Sequence, residues 1–189
     1  LGSKTVNLYD STFSQNTATG TNGNPGNGGN GGAIGVDVDA RDVNFCRVQV
    51  RNNSSNAYGA GFFTTTYSAA SFTRILNSTC DGNNSVAANK LAGGAYIQGS
   101  PIAIQGSTFS NNQANGYAGL VAFGYGGVMN GDIGNSTFSG NVARNGRGGA
   151  TAVQTVGRLT LANLTTPKQD RHRPGVFSPG IANRATSRT

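Results

Sequence analysis

Ser107-Thr108-Phe109-Ser110-Asn111-Asn112 is a six-residue phrase that the chain uses repeatedly. It stands again as Ser11-Thr12-Phe13-Ser14-Gln15-Asn16 and Ser136-Thr137-Phe138-Ser139-Gly140-Asn141. Ser78-Thr79-Cys80-Asp81-Gly82-Asn83 carries Cys in place of Phe, and Val48-Gln49-Val50-Arg51-Asn52-Asn53 is a more diverged copy. The central apolar position therefore falls at 13, 50, 80, 109 and 138, at intervals of 37, 30, 29 and 29 residues. A degraded sixth copy places Thr166 another 28 along. A fixed period of this size signals stacked structural units, and it outranks any local propensity.

The flanks keep the same register. Seven and five residues before the central position stand Val6/Leu8, Val43/Phe45, Thr73/Ile75, Ile102/Ile104, Gly131/Ile133 and Leu159/Leu161. That period-two spacing predicts a strand with one buried face. Three before the central position stand Asp10, Arg47, Asn77, Gly106, Asn135 and Asn163. Asn, Asp and Gly tolerate the left-handed backbone of a sharp bend, so a corner is expected there, with Arg47 as the exception. Three after the central position stand Asn16, Asn53, Asn83, Asn112 and Asn141. In a stack of coils these amides form a column with a rung spacing of about 4.8 Å, and they hydrogen-bond to one another. Phe13, Val50, Cys80, Phe109 and Phe138 form the apolar column beside it.

A variable loop follows, then a small-residue lead-in to the next strand, as in Gly31-Gly32-Ala33-Ile34 and Gly93-Gly94-Ala95-Tyr96. The 37-residue interval absorbs the Gly/Asn run from Gly20 to Gly31. Insertions at one place in a repeat map to loops on one face. The expected fold is all-β: a right-handed, single-stranded parallel β-helix of about five to six coils, about 29 residues each, with three strands and three bends per coil. A leucine-rich repeat needs more Leu than the chain has, and an antiparallel sandwich has no reason for so strict a period.

Composition agrees. Gly is 30 of 189 residues, charged residues are 11%, Trp is absent and all seven acids are Asp. Gly, Asn, Ser and Thr disfavour long helices. Nine Phe and six Tyr argue against disorder over most of the chain. The β-helix is expected over 1–166, where nine Lys/Arg and six Asp leave +3. Residues 167–189 carry +4, from Lys168, Arg171, Arg173, Arg184 and Arg188 against one Asp, and read as an irregular basic tail. That tail is a candidate interaction segment for an acidic surface; a solvated chain end is the plainer alternative. No apolar run is long enough to span a membrane. The chain opens inside a repeat, at Leu1-Gly2-Ser3, as expected of a processed product or a piece of a longer protein.

The paired phrases Gly-Gly-Ala-Ile and Phe-x-x-Asn resemble the repeats of polymorphic outer-membrane proteins, whose passenger regions are right-handed β-helices of the pectin-lyase-like superfamily. The first phrase stands at 31–34 and more loosely at 93–96 and 148–151. The second stands at Phe13/Asn16, Phe109/Asn112 and Phe138/Asn141, with Val50/Asn53 and Cys80/Asn83 as variants. The resemblance covers roughly residues 5–166. It implies export, surface display and an adhesion or interaction role.

Signals for chemistry are sparse. Asp37, Asp39 and Asp42 form the one acid cluster. On a strand, Asp37 and Asp39 would share a face. Hard oxygen ligands suit Ca²⁺, the one cofactor considered, although such a site takes six to eight of them; a solvated strand edge beside Arg41 is the other reading. Asp81 and Asp132 are expected singly in turns. Polygalacturonase-type paired Asp motifs and a phosphate-binding loop are absent from the sequence, and the sole His, His172, lies in the basic tail. No catalytic residue is assigned. By register Cys80 points inward as a buried thiol, while Cys46 lies in another column, so a disulfide would need the register to slip. Thr12, Thr79, Thr108 and Thr137, with Ser14, Asp81, Ser110 and Ser139, are expected on an outward face. Sequons begin at Asn52, Asn53, Asn77, Asn83, Asn135 and Asn163.

The expected function is a non-enzymatic extracellular or cell-surface scaffold for adhesion, or a subunit of an extracellular assembly. Its partners would be a protein or glycan surface, or other chains meeting it end to end, with no specific nucleic acid. A polysaccharide-binding or polysaccharide-degrading protein is the alternative, and an ice-binding solenoid a further one.

Overall fold

The computed structural model describes residues 5–20, 28–37, 41–66, 70–88, 90–123, 129–145, 148–154 and 156–166. The chain is an all-β parallel β-solenoid with about 29 residues per turn. The first coil contains β1 (Thr5–Tyr9), β2 (Thr12–Ser14), β3 (Thr17–Ala18) and β4 (Ile34–Val36). The second contains β5 (Asp42–Cys46), β6 (Gln49–Arg51), β7 (Ser54–Ser55) and β8 (Phe62–Thr65). The third contains β9 (Phe72–Leu76), β10 (Thr79–Asp81), β11 (Asn84–Ser85) and β12 (Ala95–Gln98). The fourth contains β13 (Ile102–Gln105), β14 (Thr108–Ser110), β15 (Gln113–Ala114) and β16 (Leu120–Phe123). The fifth contains β17 (Met129–Gly134), β18 (Thr137–Ser139), β19 (Val142–Ala143) and β20 (Thr151–Gln154), and β21 (Val156–Ala162) begins a sixth pass.

Equivalent strands stack in four parallel sheets. The first has six strands, β1-β5-β9-β13-β17-β21, and the other three have five each. A coil thus has four strands, one more than the sequence predicts. The extra sheet is made of two-residue strands such as Thr17–Ala18 and Ser54–Ser55, too short for an alternation of apolar and polar residues to be read. The described stack holds five four-stranded coils and the start of a sixth, and rises about four turns from the first coil to the fifth. The sixth pass adds β21 and a single bridge, Thr137 to Thr165. Its central position holds Thr166 and not an aromatic residue, and Pro167, which has no N–H to donate, follows. The basic tail, 167–189, lies outside the described residues.

The corners explain the path. All six residues three before the central position have left-handed backbone: Asp10 (φ 49°), Arg47 (54°), Asn77 (48°), Gly106 (60°), Asn135 (48°) and Asn163 (50°). Arg47, the residue type least suited to it, adopts the conformation with the others. Its guanidinium grips the Asp10 carboxylate of the preceding rung, Nε to Oδ1 at 2.5 Å and Nη2 to Oδ2 at 2.7 Å. A second left-handed column lies two after the central position: Gln15, Asn52, Gly82, Asn111 and Gly140. Asn and Gly alternate there for a steric reason. A Cβ on Gly82 would stand 2.4 Å from Asn52 Oδ1, and one on Gly140 2.5 Å from Asn111 Oδ1. Each amide folds across the rung that follows, and only glycine leaves it room.

Inside the coils runs one apolar core. Val43, Phe45, Ile75, Ile102, Ile104 and Ile133 enter from the first sheet, and Val50, Cys80, Phe109 and Phe138 from the second. Phe109 and Phe138 stack with centroids 5.2 Å apart and rings within 6° of parallel. Such contacts contribute about 1 kcal/mol beyond area burial. Where Val50 and Cys80 replace Phe, a small void remains between Phe45, Phe62, Ile75 and Phe109.

Candidate functional site

The buried polar residues are organised in columns. Asn53, Asn83, Asn112 and Asn141 are each at most 1% exposed. The Oδ1 of each accepts two hydrogen bonds from the asparagine one rung before: the backbone N–H and the side-chain Nδ2. The Nδ2 of each also donates to the carbonyl of the central residue one rung back: Phe13, Val50, Cys80 and Phe109 in turn. An amide can be buried here at little cost because its donors and its acceptor are used. The exposed Asn16 begins the ladder.

A second polar column was not anticipated. Ser78, Ser107 and Ser136 are buried two residues before the central position. Each Oγ accepts the backbone N–H of its counterpart one rung earlier, from Val48, Ser78 and Ser107 respectively. Each also donates to a carbonyl two residues back, on Leu76, Gln105 and Gly134. The Ser of the repeated phrase was visible in the sequence. Its partner was not, since a serine beside a bend also reads as an ordinary turn residue.

The fourth sheet carries a second apolar cluster on its outer face. Phe63, Tyr96 and Val121 face away from the main core, yet are buried under Tyr58, Leu91 and Tyr117 from the loops. Phe63 and Tyr96 stack at 5.3 Å, Tyr58 and Tyr96 lie at 5.0 Å, and Lys90 Nζ sits 4.9 Å from the Tyr58 ring centre. The register corrects the motif alignment here. Ala95, not Tyr96, pairs with Phe62, and Phe62 pairs with Ile34. The phrase at 93–96 is therefore one residue out of step with that at 31–34, and the slip turns Tyr96 to the outside. The doubled Phe62-Phe63 and the run Ala95-Tyr96-Ile97 are the signal that both faces of this sheet are covered.

The predicted site residues are placed as follows. Asp37 is exposed and follows the end of β4, so it is not on a strand as expected. Asp42 is half-buried at the start of β5, in a different sheet, and Asp39 lies outside the described residues. Among the described residues no three His, Cys, Asp or Glu side chains gather to hold a metal. Asp81 and Asp132 lie on β10 and β17, not in turns. Asp81 accepts hydrogen bonds from Ser110 Oγ at 2.6 Å and Asn111 Nδ2 at 2.9 Å. Cys46 and Cys80 are both free thiols. Burial, with Asp81 alongside, pushes the Cys80 thiol well above the ordinary range, although Asn83 donates to its sulfur. The arginines and lysine of the tail, and His172, lie outside the described residues. Thr79, Thr108 and Thr137 stand in register on the outside of the second sheet, and Ser110 beside Ser139. Gln49, Arg51 and Asp81 interrupt the array.

Compared with protein-family models, with curated proteins and with solved structures, the chain has no match. No helix among the described residues is long and apolar enough to cross a membrane.

Proposed function

We propose that the chain is a non-enzymatic, extracellular or surface-displayed solenoid of the polymorphic outer-membrane, pectin-lyase-like kind. It presents loops for adhesion or forms a subunit of an extracellular assembly. The observation that carries this reading is the pairing of buried Asn and Ser side chains rung to rung. Polar groups used this way stiffen a rod, and insertions collect at one place on its circumference. The partner would be a protein or glycan surface, or other chains of the assembly. The test is fractionation of native material without dissociating agents. Recovery from the extracellular or surface fraction, in a complex larger than the chain, supports the proposal. An intracellular monomer contradicts it.

Polysaccharide binding is the second reading, favoured by Tyr58 and Tyr117, half-buried over the fourth sheet beside Lys90. Aromatic faces of this kind stack on sugar rings. Titration with cell-wall polysaccharides should then give binding that Tyr58→Ala and Tyr117→Ala weaken. If turnover is seen as well, Asp37→Asn and Asp39→Asn should abolish it, and retained turnover would remove these two residues from any mechanism.

A further inference from the structure

Four of the six sequons fall into two groups with opposite physical situations; the other two begin at Asn52, on the second left-handed corner, and at Asn163, on the last rung of the first. Asn53 and Asn83 are rungs of the buried ladder, 1% and 0% exposed, and both side-chain atoms of each are hydrogen-bonded within the stack. A glycan on either Nδ2 would break the column. Asn77 and Asn135 stand instead on the first left-handed corner, exposed, with φ of 48° each. Each begins the tripeptide Asn-Ser-Thr, and all three residues have fold-level reasons to be there. The Asn takes the left-handed corner, the Ser joins the serine column, and the Thr starts the strand of the second sheet.

The rung between them leaves space, and Arg47, the rung before Asn77, turns its guanidinium away to Asp10. Gly106 is the rung between Asn77 and Asn135 in this column, and a Cβ there would stand 2.4 Å from Asn77 Oδ1. The Asn77 amide therefore lies over a glycine, with its oxygen against that glycine. The two asparagines are two rungs apart, about 9.6 Å along the axis. Asn163, one rung beyond, donates its Nδ2 to Asn135 Oδ1 at 3.1 Å. That contact holds the oxygen of Asn135 and does not use its nitrogen. One rung, about 4.8 Å, is too close for branched sugars on both Asn135 and Asn163.

We propose that Asn77 and Asn135 are N-glycan acceptor sites, paired on one edge of the second sheet, and that the ladder asparagines Asn53 and Asn83 are excluded from modification in the folded protein. The modification forms a bond from the amide nitrogen to the first sugar, with a lipid-linked oligosaccharide as donor and its pyrophosphate as leaving group. The inference rests on the extracellular part of the proposed function and not on the outer-membrane likeness, since it needs passage through an N-glycosylating secretory route.

The test secretes the full chain from a eukaryotic cell line behind a cleavable leader. The folded product is treated with peptide:N-glycosidase in ¹⁸O water and mapped by mass spectrometry. Labelled Asp is expected at 77 and 135, with unmodified Asn at 53 and 83. Thr79→Ala and Thr137→Ala should each remove one glycan while leaving both asparagines in place. Folded product lacking sugar at both corner sites, or carrying it at Asn53 or Asn83, overturns the proposal. The same digestion of protein from its native source separates the two claims. Sugar on the secreted recombinant but not on the native chain overturns the export route assumed here and with it the modification in the organism, while the acceptor geometry stands.

Discussion

At the scale of the residue, the decisive feature is the asparagine three after each central position. An interior member such as Asn112 accepts two hydrogen bonds from Asn83 and donates to Asn141 and to the Cys80 carbonyl. Asn112→Ala would leave donors on Asn83 and a carbonyl without partners in a closed interior. Stranding buried groups in this way costs about 3 kcal/mol in total. Asn16→Ala, at the exposed end, should cost under about 1 kcal/mol. Urea midpoints of the two variants check the contrast, and equal losses would refute the ladder's role. Cys80 supports a pH prediction. Its thiol ionises far above the ordinary range when folded and near about pH 8.5 when unfolded. The folded state therefore holds the proton that the unfolded state loses. The stability from this group is complete below about pH 8.5 and declines above it by about 1.4 kcal/mol per pH unit. Urea titrations at a series of alkaline pH values should show this slope in the parent chain and its loss in Cys80→Ala. In native buffer an alkylating reagent should label Cys46, which is half-buried, and spare Cys80 until the chain unfolds.

At the scale of the element, the strands are short and the corners set their limits. Gly61, Gly94 and Gly119 lie in one column at the approach to the fourth sheet, and each precedes a strand whose register is fixed by the rung beneath. A Cβ on Gly94 would stand 2.2 Å from the Gly119 carbonyl oxygen, a backbone atom with little room to retreat. Gly94→Ala should therefore cost about 1–3 kcal/mol, read as a fall in urea midpoint. An unchanged midpoint would show that the rungs are looser than this packing implies. Arg47 points the other way. It holds a conformation that suits Asn in the same column, and its pair with Asp10 is solvent-exposed, where such pairs contribute little. Arg47→Asn should leave the thermal midpoint no lower than that of the parent chain. The first two sheets were legible in the sequence because Phe13, Phe109, Phe138 and the paired flanks recur at a fixed interval. The third sheet was not, because Thr17–Ala18 and Ser54–Ser55 are too brief to show alternation. The slipped phrase at 93–96 was not either, since its Gly-Gly-Ala resembles 31–33 locally while hydrogen-bond register places Ala95 opposite Phe62. The outer aromatic cluster leaves no periodic mark in the sequence, because Tyr58, Leu91 and Tyr117 reach it from loops of unequal length.

At the scale of the whole molecule, each coil packs on its neighbours, with Arg144 also reaching two rungs, to Asn84, so stability accumulates mainly by interfaces between adjacent coils. Interior rungs have a partner on both sides and terminal rungs on one. Hydrogen exchange should follow that gradient, with amides of β10 and β14 protected longest and those of β1, β2 and β21 shortest. Uniform protection along the stack would mean that the coils open together, against a one-dimensional design. The proposed scaffold role draws on the same property: a rod of ladders keeps its shape without help from a ligand. The central claim is that one sequence repeat is one rung, with Asn53, Asn83, Asn112 and Asn141 in a single buried column. A crystal structure of the chain at a resolution that places side-chain amides tests this most directly. The account predicts those four amides in line, one rung of about 4.8 Å apart, each oxygen accepting from the residue below. Asparagines scattered over different faces, or turned to solvent, would contradict it.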